Sequence, residues 1–72
     1  MDIVLTIHKS ELPLDEFVAD LMGRRVKQGS PEETYILFNG EPVRAYDWTD
    51  GIHSYQSTFT MVDGGIQEIS IE

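Results

Sequence analysis

Asn39-Gly40 stands between two apolar runs in the segment TYILFNGEPVRAYDW. Both residues tolerate the positive φ that a two-residue type I′ turn demands, so this pair is the strongest short signal of a β-hairpin. A two-residue loop also fixes the register, setting Phe38 opposite Glu41, Ile36 opposite Val43 and Tyr35 opposite Arg44. Side chains alternate along each strand. One face of the hairpin therefore carries Ile36, Phe38, Val43 and Ala45, and the other carries Tyr35, Leu37, Pro42, Arg44, Tyr46 and Trp48. Pro42 has no N–H to donate, which predicts that its strand lies at a sheet edge.

The rest of the chain supplies partners for this hairpin. Residues 2–8, DIVLTIH, are β-branched and apolar and read as a strand, with Ile3, Leu5 and Ile7 on one side and Val4, Thr6 and His8 on the other. In PLDEFVADLMGRRVKQG, Leu14, Phe17, Val18, Leu21 and Met22 fall at the spacing of one helical stripe. Pro13 suits the first helical position, Asp15 and Glu16 complement the positive helix end, and Arg24, Arg25 and Lys27 complement the negative end. Gly29 and then Pro31 mark the stop, and Gly23 weakens the last turns by about 1 kcal/mol relative to alanine. Thr49-Asp50-Gly51 is a turn, and SYQSTFTMVDGGIQEISIE reads as a second hairpin. A three-residue loop at Asp63-Gly64-Gly65 sets Val62 opposite Ile66, Phe59 opposite Ile69 and Ser57 opposite Ile71. A two-residue loop instead sets Ile69 opposite Thr58 or Thr60 and wastes it, so three residues are expected. The predicted fold is α+β: one amphipathic helix on a mainly antiparallel sheet of about five strands, in the order β-α-β-β-β-β. With 72 residues the chain holds one small acidic domain, 1–72, and has no room for a second core.

Charge narrows the choice of partners. Thirteen Asp and Glu against five Lys and Arg give a formal charge of −8, so direct binding to nucleic acid or an anionic membrane is disfavoured and basic partners are favoured. Cysteine is absent, which removes disulfides and thiolate metal sites. The start MDIVLTIHKSE has an apolar run too short for a signal peptide or a membrane span, and a soluble, cytoplasmic protein is expected.

The motifs of chemistry are weak. DWTDG has the look of half a calcium loop without the alternating acids and terminal glutamate that the ion needs. His8 and His53 fall on predicted strands, where a hydrogen-bonded histidine is the commoner case. Ser54 and Ser57 flank Tyr55 near His53, but neighbours along a strand point to opposite faces. The DGG before the last strand is a hairpin turn, since a phosphate cradle needs a following helix. No enzymatic activity, cofactor or metal is expected.

The aromatic residues suggest docking. If Ile36, Phe38, Val43 and Ala45 face the lone helix, Tyr35, Arg44, Tyr46 and Trp48 point to the uncovered side, rimmed by Asp47 or Asp50 and close to Tyr55. Alternatively Trp48 folds back over the edge and closes the core. On the last strand Glu68, Ser70 and Glu72 share a face, a carboxylate ladder too sparse to copy a DNA strand alone. In size, charge and lack of cysteine the chain resembles phage-encoded inhibitors of host defence, such as anti-CRISPR and anti-restriction proteins, a likeness of general character that covers no alignable motif. That resemblance implies a non-enzymatic protein that blocks a basic nucleic-acid-handling partner, by nucleic-acid mimicry or by occlusion. The rival expectation is a homodimeric accessory subunit, self-associating through the aromatic hairpin face or the final strand.

Overall fold

The computed structural model describes residues 1–26 and 31–72, with Phe38 described by its backbone alone. Expectations that fall on Lys27, Gly29 and the Phe38 side chain lie outside the described residues. The elements are β1 (Ile3–His8), α1 (Leu14–Arg25), β2 (Glu32–Phe38), β3 (Glu41–Thr49), β4 (Ser54–Val62) and β5 (Gly65–Ile71). Among the described residues they form the α+β fold read from the sequence: one helix and a single antiparallel sheet, in the order β1-β5-β4-β3-β2. Strands β1 and β2 are the edges.

Helix α1 forms where the stripe predicted it. Phe17, Val18, Leu21 and Met22 are buried, and Leu14 packs against them. Asp15 and Glu16 occupy the first turn and Arg24 and Arg25 the last, each favouring the partial charge at its helix end. Pro13 sits one residue earlier than expected, as the cap, and the helix continues through Gly23.

The first hairpin has the expected register, with Ile36 opposite Val43 and Tyr35 opposite Arg44. Asn39 and Gly40 have φ of 52° and 80°. Strand β3 is not an edge strand as Pro42 predicted: it lies between β2 and β4. Its pairing with β4 begins only at Ala45, so no neighbour on that side asks Pro42 for an N–H.

The second hairpin departs from the expected register. Val62 pairs with Gly65, Phe59 with Glu68 and Thr58 with Ile69, so the loop is the two residues Asp63-Gly64. The physical reason is the inward turn of Glu68, which finds the Arg25 guanidinium and the His8 imidazole beneath the helix and is only 2% exposed. A charge can be buried where it is paired and hydrogen-bonded, and that pairing outweighs the gain from turning Ile69 inward.

Register carries across all five strands. Val4, Ser70, Ser57, Tyr46 and Glu33 form one row, and the next is Leu5, Ile69, Thr58, Ala45 and Thr34. The core settles which row the helix covers: Phe59 and Ile66 are buried with the α1 stripe, and Tyr46 and Trp48 pack against them. The expectation for the hairpin faces is therefore reversed. The helix shelters Tyr46 and Trp48, while Ile36, Val43 and Ala45 lie on the opposite side. Aromatic rings remove more apolar surface from water than Val or Ala does, and one helix has only one face of the sheet to cover.

Candidate functional site

On the helix side, aromatic and charged groups hold one another. The Trp48 indole stacks on Tyr55 with ring centroids 4.4 Å apart, and the Arg25 guanidinium lies 5.2 Å from the Trp48 ring centre. Trp48 Nε1 donates to Ser57 Oγ at 2.9 Å, and Ser57 is fully buried. Glu68 accepts from Arg25 Nη1 through Oε2 and lies 2.8 Å from His8 Nε2 through Oε1. Burial opposes the Glu68 anion, but hydrogen bonds from Arg25, His8 and Ser57 outweigh it and hold the carboxyl below its usual range. The His8 ring also lies 5.2 Å from that of Phe17. This cluster joins β1, α1, β3, β4 and β5 through satisfied groups, as a structural network does.

The residues expected to meet a partner divide accordingly. Tyr46 and Trp48 are half-buried under the helix, nearer the core-lid alternative than the open docking face. Glu68 is buried and is no rung of a surface ladder; Glu72 is exposed and lies 3.1 Å from His53 Nδ1. Tyr35 remains 62% exposed, and beside it Arg44 bridges Glu33 at 3.0 Å and Asp15 at 3.6 Å. Asp50 shapes the turn before β4: its Oδ1 accepts from the N–H groups of Ile52 and His53, which lowers its pKa, and Tyr55 donates to its Oδ2. His53 belongs to this turn and not to a strand as expected. Asp47 is exposed on the face away from the helix, where its Oδ1 accepts from Gln56.

That second face has the features of a contact surface. Ile3, Leu5 and Ile7 are 66%, 59% and 47% exposed, and Ile71 and Ile69 pair with the first two on the neighbouring strand. Across the sheet the row continues into Thr58, Thr60 and Gln67, which with Ile36, Val43 and Ile69 line a shallow groove of about 200 Å³. Its far edge is acidic at both ends, with Glu32 opposite Asp47 at one and Glu41 beside the hairpin turn at the other. The face thus runs from aliphatic at β1 and β5, through hydroxyl and amide groups, to Ile36, Val43 and Ala45 on β2 and β3, which carboxylates flank at both ends. Sequence reasoning missed it because Ile36 and Val43 were expected to face the helix and Ile69 to stand opposite Phe59. The signal was present in IQEISI, where Ile66 is out of phase with Ile69 and Ile71 and so cannot share their face.

Among the described residues no group of three or more His, Cys, Asp or Glu is placed to hold a metal, and no helix is long and apolar enough to cross a membrane. No protein-family model, curated protein or solved structure matches the chain.

Proposed function

We propose that this chain is a non-enzymatic docking protein that binds a basic surface of a nucleic-acid-handling protein and blocks it, its working surface being the sheet face opposite the helix. The observation that carries this reading is the uncovered aliphatic row Ile3, Leu5 and Ile7, continued by Ile69 and Ile71. Monomeric proteins rarely leave so continuous an apolar patch without a binding role. Apolar side chains anchor the contact, and the carboxylates of Glu32, Asp47 and Glu41 with the net charge of −8 select a cationic counterpart and speed encounter. The aromatic rings then serve the fold that presents this face, not the contact itself.

The reading is tested with a panel of purified nucleic-acid-binding proteins, each assayed free and nucleic-acid-loaded, at low and at physiological salt. It expects binding to the free forms that weakens as salt rises. Ile69→Asp should abolish it, Asp47→Asn with Glu32→Gln should slow association, and Tyr35→Ala should change little. Salt-independent binding, or binding that survives Ile69→Asp but not Tyr35→Ala, would contradict it.

A further inference from the structure

Strand β1 is an edge whose outer side no described strand pairs. Such an edge offers a row of N–H and C=O groups to another strand, and proteins usually blunt it with charge, proline or a bulge. None of these interrupts Ile3 to His8, and charges occur only at its flanks, Asp2 and Lys9.

The backbone shows which groups are on offer. Glu72 N–H donates to Asp2 C=O, which makes Asp2 and Glu72 a hydrogen-bonded pair. Pairs alternate along an antiparallel ladder, so Val4, Thr6 and His8 also bond inward to β5, while Ile3, Leu5 and Ile7 direct their N–H and C=O groups outward. The three residues with outward backbone groups are the three aliphatic ones on the open face.

We infer that β1 pairs with β1 of a second copy, antiparallel, about a two-fold axis through Leu5. In that register Leu5 meets Leu5 of the other copy and Ile3 meets Ile7, each pair exchanging two hydrogen bonds between the groups that point outward. Like meets like on both faces. Val4 meets Thr6, and the Asp2 carboxylate comes opposite the His8 imidazole, so the strand is complementary to itself, as a two-fold interface requires. Shifting the axis by one residue to Val4 or Thr6 keeps the faces matched but leaves one of the outward-pointing aliphatic residues without its partner.

The pairing also rearranges the open face. In one copy the aliphatic residues lie at an edge. In the pair, both sets of Ile3, Leu5, Ile7, Ile69 and Ile71 meet at the centre of a continuous sheet, with the β4 threonines outside them, then Ile36, Val43 and Ala45, and the carboxylates of Asp47, Glu32 and Glu41 at the outer strand ends. An apolar centre within a polar rim is the usual anatomy of a protein-binding patch.

The chain has no cysteine, so a single introduced thiol reports the register. Facing residues of a hydrogen-bonded pair have Cα atoms about 5.5 Å apart, inside the range a disulfide spans. Leu5→Cys should oxidise to a covalent dimer. Ile3→Cys alone should not, its two copies being roughly 14 Å apart at about 3.4 Å per residue. Ile3→Cys mixed with Ile7→Cys should cross-link as a heterodimer. In sedimentation, the unmodified protein should shift from monomer to dimer as concentration rises, and Leu5→Lys, at an exposed site, should remain monomeric with an unchanged circular dichroism spectrum. Equal cross-linking of Leu5→Cys and Ile3→Cys, or an unmodified protein that stays monomeric at the highest soluble concentration, would overturn the pairing. These measurements use the pure protein, so their failure is separable from failure to find a basic partner.

Discussion

Arg25, in the last turn of α1, donates a hydrogen bond to the Glu68 carboxylate on β5, which is 2% exposed. The contact ties the end of the helix to the register of the second hairpin. A slip of one residue in β5 would carry Glu68 to the open face and leave Arg25 and His8 without their acceptor.

Removing Arg25 leaves the buried Glu68 carboxylate with only His8 and Ser57, and the loss of a hydrogen bond to a charged group costs roughly 1.5–3 kcal/mol. Arg25→Ala should therefore lower the stability of this small domain by about that amount, read as a fall in urea midpoint by far-UV circular dichroism. A change below about 0.5 kcal/mol, the scale of an ordinary surface substitution, would show that the pair does not hold the register.

The same carboxylate sets a pH dependence. Its pKa in the folded protein is depressed, so its contribution is fully present above the unfolded value of about 4.3 and is lost as pH falls through the folded value. Thermal midpoints should fall on acidification below that range, and Glu68→Gln should remove much of the fall. Parallel curves for the two proteins would refute this assignment.

Gly65 is the close approach between β5 and β1. Its φ is +153°, and a Cβ there would lie 2.1 Å from the His8 carbonyl oxygen. Gly65→Ala should displace the end of β1 and destabilise by more than the roughly 1 kcal/mol of an ordinary backbone mismatch. Hydrogen exchange should show the loss concentrated in the amides of Thr6 and His8, which face β5. An alanine variant with full protection there would contradict the close approach.

The element types, their order, the first hairpin and the helix stripe were legible because each rests on a local rule: turn chemistry at Asn39-Gly40, and periodicity at Phe17, Val18, Leu21 and Met22. The choice of sheet face was not. Both faces of the first hairpin are apolar, so only the bulk of Tyr46, Trp48 and Phe59 under the helix decides between them, and that competition is tertiary. The second register failed for a related reason. Pattern reading turns Glu outward and Ile inward, whereas Glu68 finds Arg25 and His8, which are distant in sequence. Of the aromatic residues thus read as a contact surface, Tyr46 and Trp48 pack against the core and Tyr35 stays exposed, while Ile36, Val43 and Ala45, read as helix-facing, lie on the opposite side of the sheet.

That inversion predicts a contrast between two substitutions. Trp48→Phe removes the donor to buried Ser57 and should cost on the order of 1 kcal/mol. Tyr35→Ala, at a side chain 62% exposed, should stay within about 0.5 kcal/mol. Chemical unfolding of both variants, followed by circular dichroism, checks the order, and a larger loss for Tyr35→Ala would reverse it.

Solvent paramagnetic relaxation of side-chain methyl groups in dilute protein measures directly which face of the sheet the helix covers. The methyls of Ile3, Leu5 and Ile7 should relax strongly, and those of Val18, Leu21 and Met22 scarcely at all. Protected Leu5 and Ile7 methyls beside strongly relaxed Leu21 and Met22 methyls would contradict the arrangement, and would remove the open aliphatic surface on which docking and self-pairing both depend.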